Sequence, residues 1–166
     1  PVFYVPRKLK ESNLTWIQSR ILEGLSKYGT NVVFIDHLHF LIDMEMISRT
    51  STSLSIGSMV RKLKKFALDY GLTIFLIAHM KKIKFEENEN PDIDDIRDSS
   101  FISQEADTVL MMKRHRKKIN GDYIFDNLAK LLVVKNRDNG KLGNVNLIYD
   151  ENNKFKEVDL IHESDY

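Results

Sequence analysis

The chain has 166 residues, 42% hydrophobic and 30% charged, enough for one core and too few for two comfortable ones. Its net charge of +1 excludes polyanion binding by overall charge, so any basic surface must be local. The absence of cysteine excludes disulfides, thiolate catalysis and cysteine-held zinc or iron–sulfur groups, and no apolar run approaches the roughly 18 residues of a membrane span.

Residues 2–5 read as a short strand ended by Pro6, and a start on Pro1 suggests a piece of something longer. Ser12 or Asn13 caps a helix that reaches about Tyr28, with Leu14, Ile17, Ile21, Leu22 and Leu25 on one face, and Gly29 stops it. Trp16 reads as packing in that helix rather than as a stacking platform. Val32–Ile35 are four large apolar residues, read as a strand buried on both faces like the central strand of a parallel sheet. The strand ends on Asp36. A carboxylate there lies where open α/β sheets bind ligands, and its hard oxygens suit a magnesium ion that carries phosphates. The alternative is that Asp36 starts a loop or caps a turn.

A long polar connection, residues 43–55, precedes a second helix over about 54–70, with Ile56, Met59, Val60, Leu63, Phe66 and Ala67 at helical spacing. Gly71 ends it, and Arg61, Lys62, Lys64 and Lys65 fall mainly on its outer face. Residues 73–78 form a second buried strand that ends at His79. A strand–helix–strand unit makes a right-handed crossover, so the strands run parallel and Asp36 and His79 share one sheet edge. Residues 84–95 are an acidic, Asn-rich loop. A short helix lies within 96–106. Arg97, Asp98, Ser99 and Ser100 stand near its start, where backbone N–H groups can hold a phosphate.

Residues 108–112 are a third apolar strand. The cluster Lys113-Arg114-His115-Arg116-Lys117-Lys118 then leads to Gly121 as a hairpin tip, either a nucleic-acid patch or a solubilising surface. Residues 128–134 make another strand, 135–140 a tight polar turn, and 143–149 an alternating strand. With no helices between these last strands, the C-terminal edge is antiparallel. The expected fold class is α/β, a mostly parallel core sheet flanked by helices, with a C-terminal antiparallel β-hairpin.

Taken in order, five stretches resemble the RecA-like motor domain of DnaB-type replicative helicases, a group that includes phage primase-helicases and the mitochondrial helicase. They are Val-Val-Phe-Ile-Asp-His-Leu, Ile-Gly-Ser-Met-Val-Arg-Lys-Leu-Lys-Lys-Phe-Ala, Ile-Phe-Leu-Ile-Ala-His-Met, Asp-Ile-Arg-Asp-Ser-Ser-Phe-Ile-Ser-Gln-Glu-Ala-Asp-Thr-Val and Val-Val-Lys-Asn-Arg-Asp-Asn-Gly-Lys-Leu-Gly, within residues 31–155. The resemblance implies a RecA-like fold and a single partial motor domain over residues 1–166. It implies hexameric rings that hydrolyse ATP or another NTP with Mg2+ between subunits and move along single-stranded DNA. Primase or a helicase loader is a further implied partner, no membrane is involved, and the setting is cytoplasmic or mitochondrial.

Residue by residue, the resemblance implies that Asp36 is the Walker B carboxylate that holds the magnesium and that His79 senses the γ-phosphate. Arg97, Asp98, Ser99 and Ser100 match the loop that follows the DNA backbone. Lys135 and Arg137 match the basic pair that reaches the neighbouring subunit's site, with Arg137 as the arginine finger. These roles agree with the physics of phosphoryl transfer, which is mostly positioning and charge stabilisation.

The sequence departs from the pattern twice. Ser100 stands where the family usually has Gly, and no Gly-x-x-x-x-Gly-Lys-Ser/Thr is present; Gly140-Lys141 is followed by Leu. The 166 residues alone are therefore expected to be a poor ATPase, as the later two-thirds of a motor domain. One rival reading is metal-dependent hydrolysis by Asp36, His37 and His39, but on a strand the two His point one way and Asp36 the other. Another is a non-catalytic, degenerate RecA-like module that binds DNA or docks on a partner. The missing loop favours it; the joint presence of Asp36, His79, Lys135 and Arg137 opposes it.

Overall fold

The computed structural model describes residue 2 and residues 13–38, 52–81, 90–96, 99–119 and 122–159. The chain divides into two compact units, Pro1–Lys81 with Ile96–Glu105 and Lys82–Asp95 with Ala106–Tyr166. Residues 3–5 of the expected first strand, most of the 43–55 connection and half of the 84–95 loop lie outside the described residues.

The first unit contains α1 (Leu14–Tyr28), β1 (Val32–Ile35), α2 (Thr52–Tyr70), β2 (Thr73–Leu76) and α3 (Ser99–Glu105). Helix α1 begins where expected because the Asn13 side chain accepts the Trp16 N–H at 2.9 Å. It ends at Gly29, whose φ of 66° lets its N–H turn back to Leu25 O. Strands β1 and β2 pair in parallel, from Val32↔Thr73 to Ile35↔Leu76.

Ile21, Phe66 and Leu72 form a buried cluster against which Ile17, Leu25, Val33, Ala67 and Ile74 pack. The strand pair therefore buries one face against α1 and α2. Alternation sends Phe34 and Phe75 to the opposite face. There they stack on each other at 4.7 Å between ring centroids and remain 70% and 43% exposed. This corrects the expectation of strands buried on both faces: a short apolar run reads the same whether one or both faces are covered.

Helix α3 lies close on α2. A Cβ added at the buried Gly57 would stand 2.6 Å from the Phe101 ring, and Arg61 reaches Glu105 at 2.8 Å.

The second unit has a short 3₁₀ turn at Ile93–Asp95 and one antiparallel sheet in the order β3 (Thr108–Ile119), β4 (Asp122–Asn136), β5 (Gly143–Tyr149) and β6 (Phe155–Glu157). Val109, Met111, Ala129 and Leu132 are buried in it. Among the described residues, then, the expected parallel core is seen in one pair, β1 with β2, and the larger sheet is antiparallel. The connections between β3 and β6 are too short for crossovers, so successive strands fold back as hairpins. The basic segment expected at a hairpin tip is part of β3, and Lys135 belongs to β4 rather than to the turn. Among the described residues, no helix is long and apolar enough to cross a membrane.

Candidate functional site

In the first unit, the strand ladder continues one step past β1 and β2. The Ile77 N–H donates to Ile35 O at 3.0 Å, and the Leu38 N–H donates to Ile77 O at 2.9 Å. Leu38 is fully buried, and this anchoring leaves Asp36 exposed at the strand end. The Asp36–His37 peptide bond is cis. The ring of half-buried His37 meets the ring of exposed His79 edge-on, with centroids 4.3 Å apart. Asp36 and His79 thus lie at the C-terminal edge of the same parallel pair, the arrangement the crossover predicts.

Immediately after His79, Met80 forms an antiparallel bridge with Ile96, which ties the end of β2 to the segment leading into α3. Ser99 and Ser100 are the first two residues of that helix. Arg97 and Asp98 lie outside the described residues, as does His39.

Among the described residues, no group of three or more His, Cys, Asp or Glu converges as a metal cage. A lone exposed carboxylate nonetheless fits magnesium, which keeps several waters and takes one or two protein carboxylates together with nucleotide phosphates.

In the second unit, Lys135 is half-buried in β4 opposite Val109. Arg137 follows in the turn. Its backbone N–H donates to Asp107 O at 2.8 Å, and its guanidinium lies 3.3 Å from the Asp107 carboxylate. The turn itself is tied by Asn136, whose side chain donates to Asn139 Oδ1 at 2.8 Å and to Lys141 O at 3.2 Å. Gly140 completes it at a φ of 70°, a conformation that costs glycine little. Two residues escape sequence reasoning, His37 as the neighbour of His79 and Asp107 as the partner of Arg137. Both contacts join residues far apart in the chain, and no local pattern signals them.

The sequence profile of the DnaB-like helicase C terminal domain matches residues 5–157. The replicative DNA helicase DnaB of Rickettsia felis is 26% identical over 159 residues, covering 83% of this chain and 31% of that protein. A chloroplastic and mitochondrial Twinkle homologue of Arabidopsis thaliana is 24% identical over 140 residues, covering 83% of this chain and 19% of that protein. The chain thus spans less than a third of the length of either relative. The solved structure of a DnaB-like replicative helicase, from work on its interactions with primase, matches with a TM-score of 0.68 at 22% identity, covering 84% of this chain and 33% of that one. A KaiC-like protein of Pyrococcus horikoshii matches with a TM-score of 0.57 at 13% identity, covering 87% and 56%. At these identities, the structural likeness shows the fold alone.

Proposed function

Because the chain belongs to the family of DnaB-like helicase C-terminal domains, we propose that it is the Walker B to arginine-finger part of an ATP-dependent replicative DNA helicase. On this reading, its subunits assemble as a hexameric ring, hydrolyse ATP or another NTP at their interfaces and move along single-stranded DNA, with primase or a loader as a further partner. The observation that supports the reading is the shared edge: β1 and β2 run parallel, so Asp36 and His79 both follow strand ends on the same side of the pair.

Asp36 is the residue that would hold the magnesium, which when bound supplies charge neutralisation to the nucleotide phosphates. His79 faces the nucleotide as the group that responds to its terminal phosphate, and the Met80–Ile96 bridge links it to the segment of Arg97, Asp98 and the α3 residues Ser99 and Ser100, which follows the DNA backbone. Lys135 and Arg137 serve the neighbouring subunit's nucleotide. Arg137 is suited to this because its present partner is exposed. A surface ion pair contributes about 0–1 kcal/mol, whereas a guanidinium on a phosphate makes paired charge-assisted bonds. The 166 residues contain no Gly-x-x-x-x-Gly-Lys-Ser/Thr, so turnover by them alone is expected to be poor.

The test is Arg137→Ala in the complete helicase polypeptide. DNA-stimulated hydrolysis should fall by about 10³-fold or more, while ATP binding stays nearly intact. Turnover at the unsubstituted rate would overturn the finger assignment. A complete polypeptide that binds DNA without hydrolysing any NTP would instead establish the non-catalytic alternative.

A further inference from the structure

The turn after β4 carries a reactive pair of residues that the proposed hydrolysis does not use. Asn139 stands directly before Gly140, and residues 137–140 are all exposed. In such a pair the backbone nitrogen of the glycine can attack the side-chain amide carbon of the asparagine, and no Cβ on the glycine hinders the approach. The step forms a bond from Gly140 N to Asn139 Cγ and breaks the Cγ–Nδ2 bond. The amide group leaves as ammonia, carrying away the proton of the Gly140 N–H. Water, the one co-reactant, then opens the cyclic imide at either carbonyl. One opening gives aspartate in a normal chain. The other gives isoaspartate, whose main chain runs through the former side chain.

The fold engages both reacting groups. The Gly140 N–H donates to Asn136 O at 3.0 Å. The Asn139 side chain is held as an acceptor, its Oδ1 taking the Asn136 side-chain N–H at 2.8 Å and the Lys141 backbone N–H at 2.9 Å. Asn136 also donates to Lys141 O at 3.2 Å, and its own Oδ1 accepts the Asp138 N–H at 3.2 Å. By backbone or side chain, Asn136 thus bonds to Asp138, Asn139, Gly140 and Lys141.

Two effects oppose each other here. The two donors on Asn139 Oδ1 draw charge from Cγ and would steady the oxyanion of the attack, as donors do in acyl transfer. That gain is realised only if Gly140 N reaches Cγ, since such reactions require the reacting atoms about 3–3.5 Å apart and aligned. The attacking nitrogen is committed to Asn136 O through its proton, and the side chain is pinned by its two donors. Position wins, so the closed turn protects.

We propose that Asn139 is a modification site gated by Asn136: the closed turn shields it, and each local opening exposes it to conversion to aspartate or isoaspartate. The two products differ in consequence. Aspartate keeps an oxygen for the Asn136 and Lys141 donors, so the turn closes again. Isoaspartate lengthens the main chain between Asp138 and Gly140 by a carbon, which displaces Gly140 from Asn136 O and disturbs the register that begins at Val133↔Gly143. The site and its gate stand whether or not the chain serves in NTP hydrolysis.

The experiment ages the full folded chain at neutral pH beside a synthetic peptide of residues 133–143. Isoaspartate at Asn139 is followed by peptide mapping with mass spectrometry, and opening of the turn by hydrogen exchange of the Gly140 amide. The peptide should react at least about tenfold faster than the chain, and Asn136→Ala should speed the chain about tenfold, the factor a net hydrogen bond is worth. Asn120, before Gly121, is the chain's other asparagine in such a pair and is read in the same map. Its rate should not respond to Asn136→Ala. Asn136→Asp keeps the acceptor for the Asp138 N–H but loses both donated bonds, and it decides the matter if the alanine variant unfolds by circular dichroism. A folded chain that ages as fast as the peptide would overturn the gate. So would an Asn136 variant that ages no faster than the unsubstituted chain, since the Asn136 amide would then activate Asn139 or leave it untouched. Equal acceleration at Asn120 and Asn139 would assign the effect to general unfolding and overturn it too.

Discussion

The rings of His37 and His79 meet edge-on at 4.3 Å between centroids, with an interplanar angle of 63°. His37 is the more buried of the two and is followed by Leu38, which is fixed in the core and by its hydrogen bond to Ile77 O. A held ring beside an exposed one restricts the rotamers available to the exposed one. If His79 responds to a terminal phosphate, as proposed, His37 is a positioning residue for it. In the complete helicase, His37→Ala should lower kcat about tenfold with little change in KM, since small misplacements are costly where catalysis is positional. His37→Phe keeps a ring edge in place and should restore most of the loss. An unaltered kcat in the alanine variant would remove His37 from the mechanism.

Arg137 presents a different balance, because its backbone and its charge are held by the same residue. The N–H bond to Asp107 O fixes where the side chain starts, and the carboxylate at 3.3 Å is an exposed partner. Asp107→Ala removes the second contact and keeps the first. The change in stability should stay within about 0.5 kcal/mol, as for exposed pairs generally. Any effect on DNA-stimulated turnover should be a rise, and it should fade at high salt as screening weakens the ion pair in the unsubstituted protein. A large fall in turnover would mean that Asp107 acts in hydrolysis itself.

Gly57 tests the packing of α3 on α2. Alanine in a helix interior gains about 1 kcal/mol over glycine. Here the added methyl would meet the Phe101 ring at 2.6 Å, at the ring's attached end rather than its far tip. Forcing volume into a packed contact costs about 1–3 kcal/mol. The second effect wins, so Gly57→Ala should destabilise by about 1 kcal/mol and lower Tm by about 3 °C. Phe101→Leu in the Gly57→Ala background should recover part of the loss. A higher Tm for Gly57→Ala alone would show that α3 yields at no cost.

Elements whose ends carry their own chemistry were legible in the sequence. Asn13 and Gly29 bound α1, Gly71 ends α2, and the span of β1 is as expected, because caps and left-handed glycines act locally. The long β3 was not. Its middle, from Lys113 to Lys118, offers no apolar alternation, and its strand state comes from backbone pairing with β4, a partner that composition does not reveal. The same holds at the candidate site. Asp36 stands out because a carboxylate ends an apolar run, whereas the pairing of Arg137 with Asp107 spans thirty residues and exists only once β3 and β4 are in register.

The β5–β6 hairpin offers a test by pH. Asp150 Oδ1 accepts the N–H groups of Asn152 at 2.9 Å and Lys154 at 3.0 Å, while Oδ2 meets Lys156 Nζ at 2.7 Å. Asn153 takes the left-handed conformation at a φ of 58°, and Tyr149 O–H donates to its side chain at 2.8 Å. Lys156 first, and then the Lys154 N–H, hold the Asp150 carboxyl below its ordinary value of 3.8. A depressed carboxyl contributes stability that is fully present above its unfolded value and lost as pH falls through the folded one. Asp150→Asn keeps an acceptor for the turn but gives up the charge. At neutral pH the variant should be the less stable, with faster exchange of the Lys154 amide, which reports local opening of the hairpin. As pH falls below 3.8, protonation takes the same interaction from the unsubstituted protein, so the two should converge. Added salt at neutral pH should narrow the gap as well, because the Lys156 side chain is exposed and its charge is screened. A gap that persists unchanged into acid would show that the amide fails as an acceptor in the turn, and that the Lys156 charge contributes nothing to holding it.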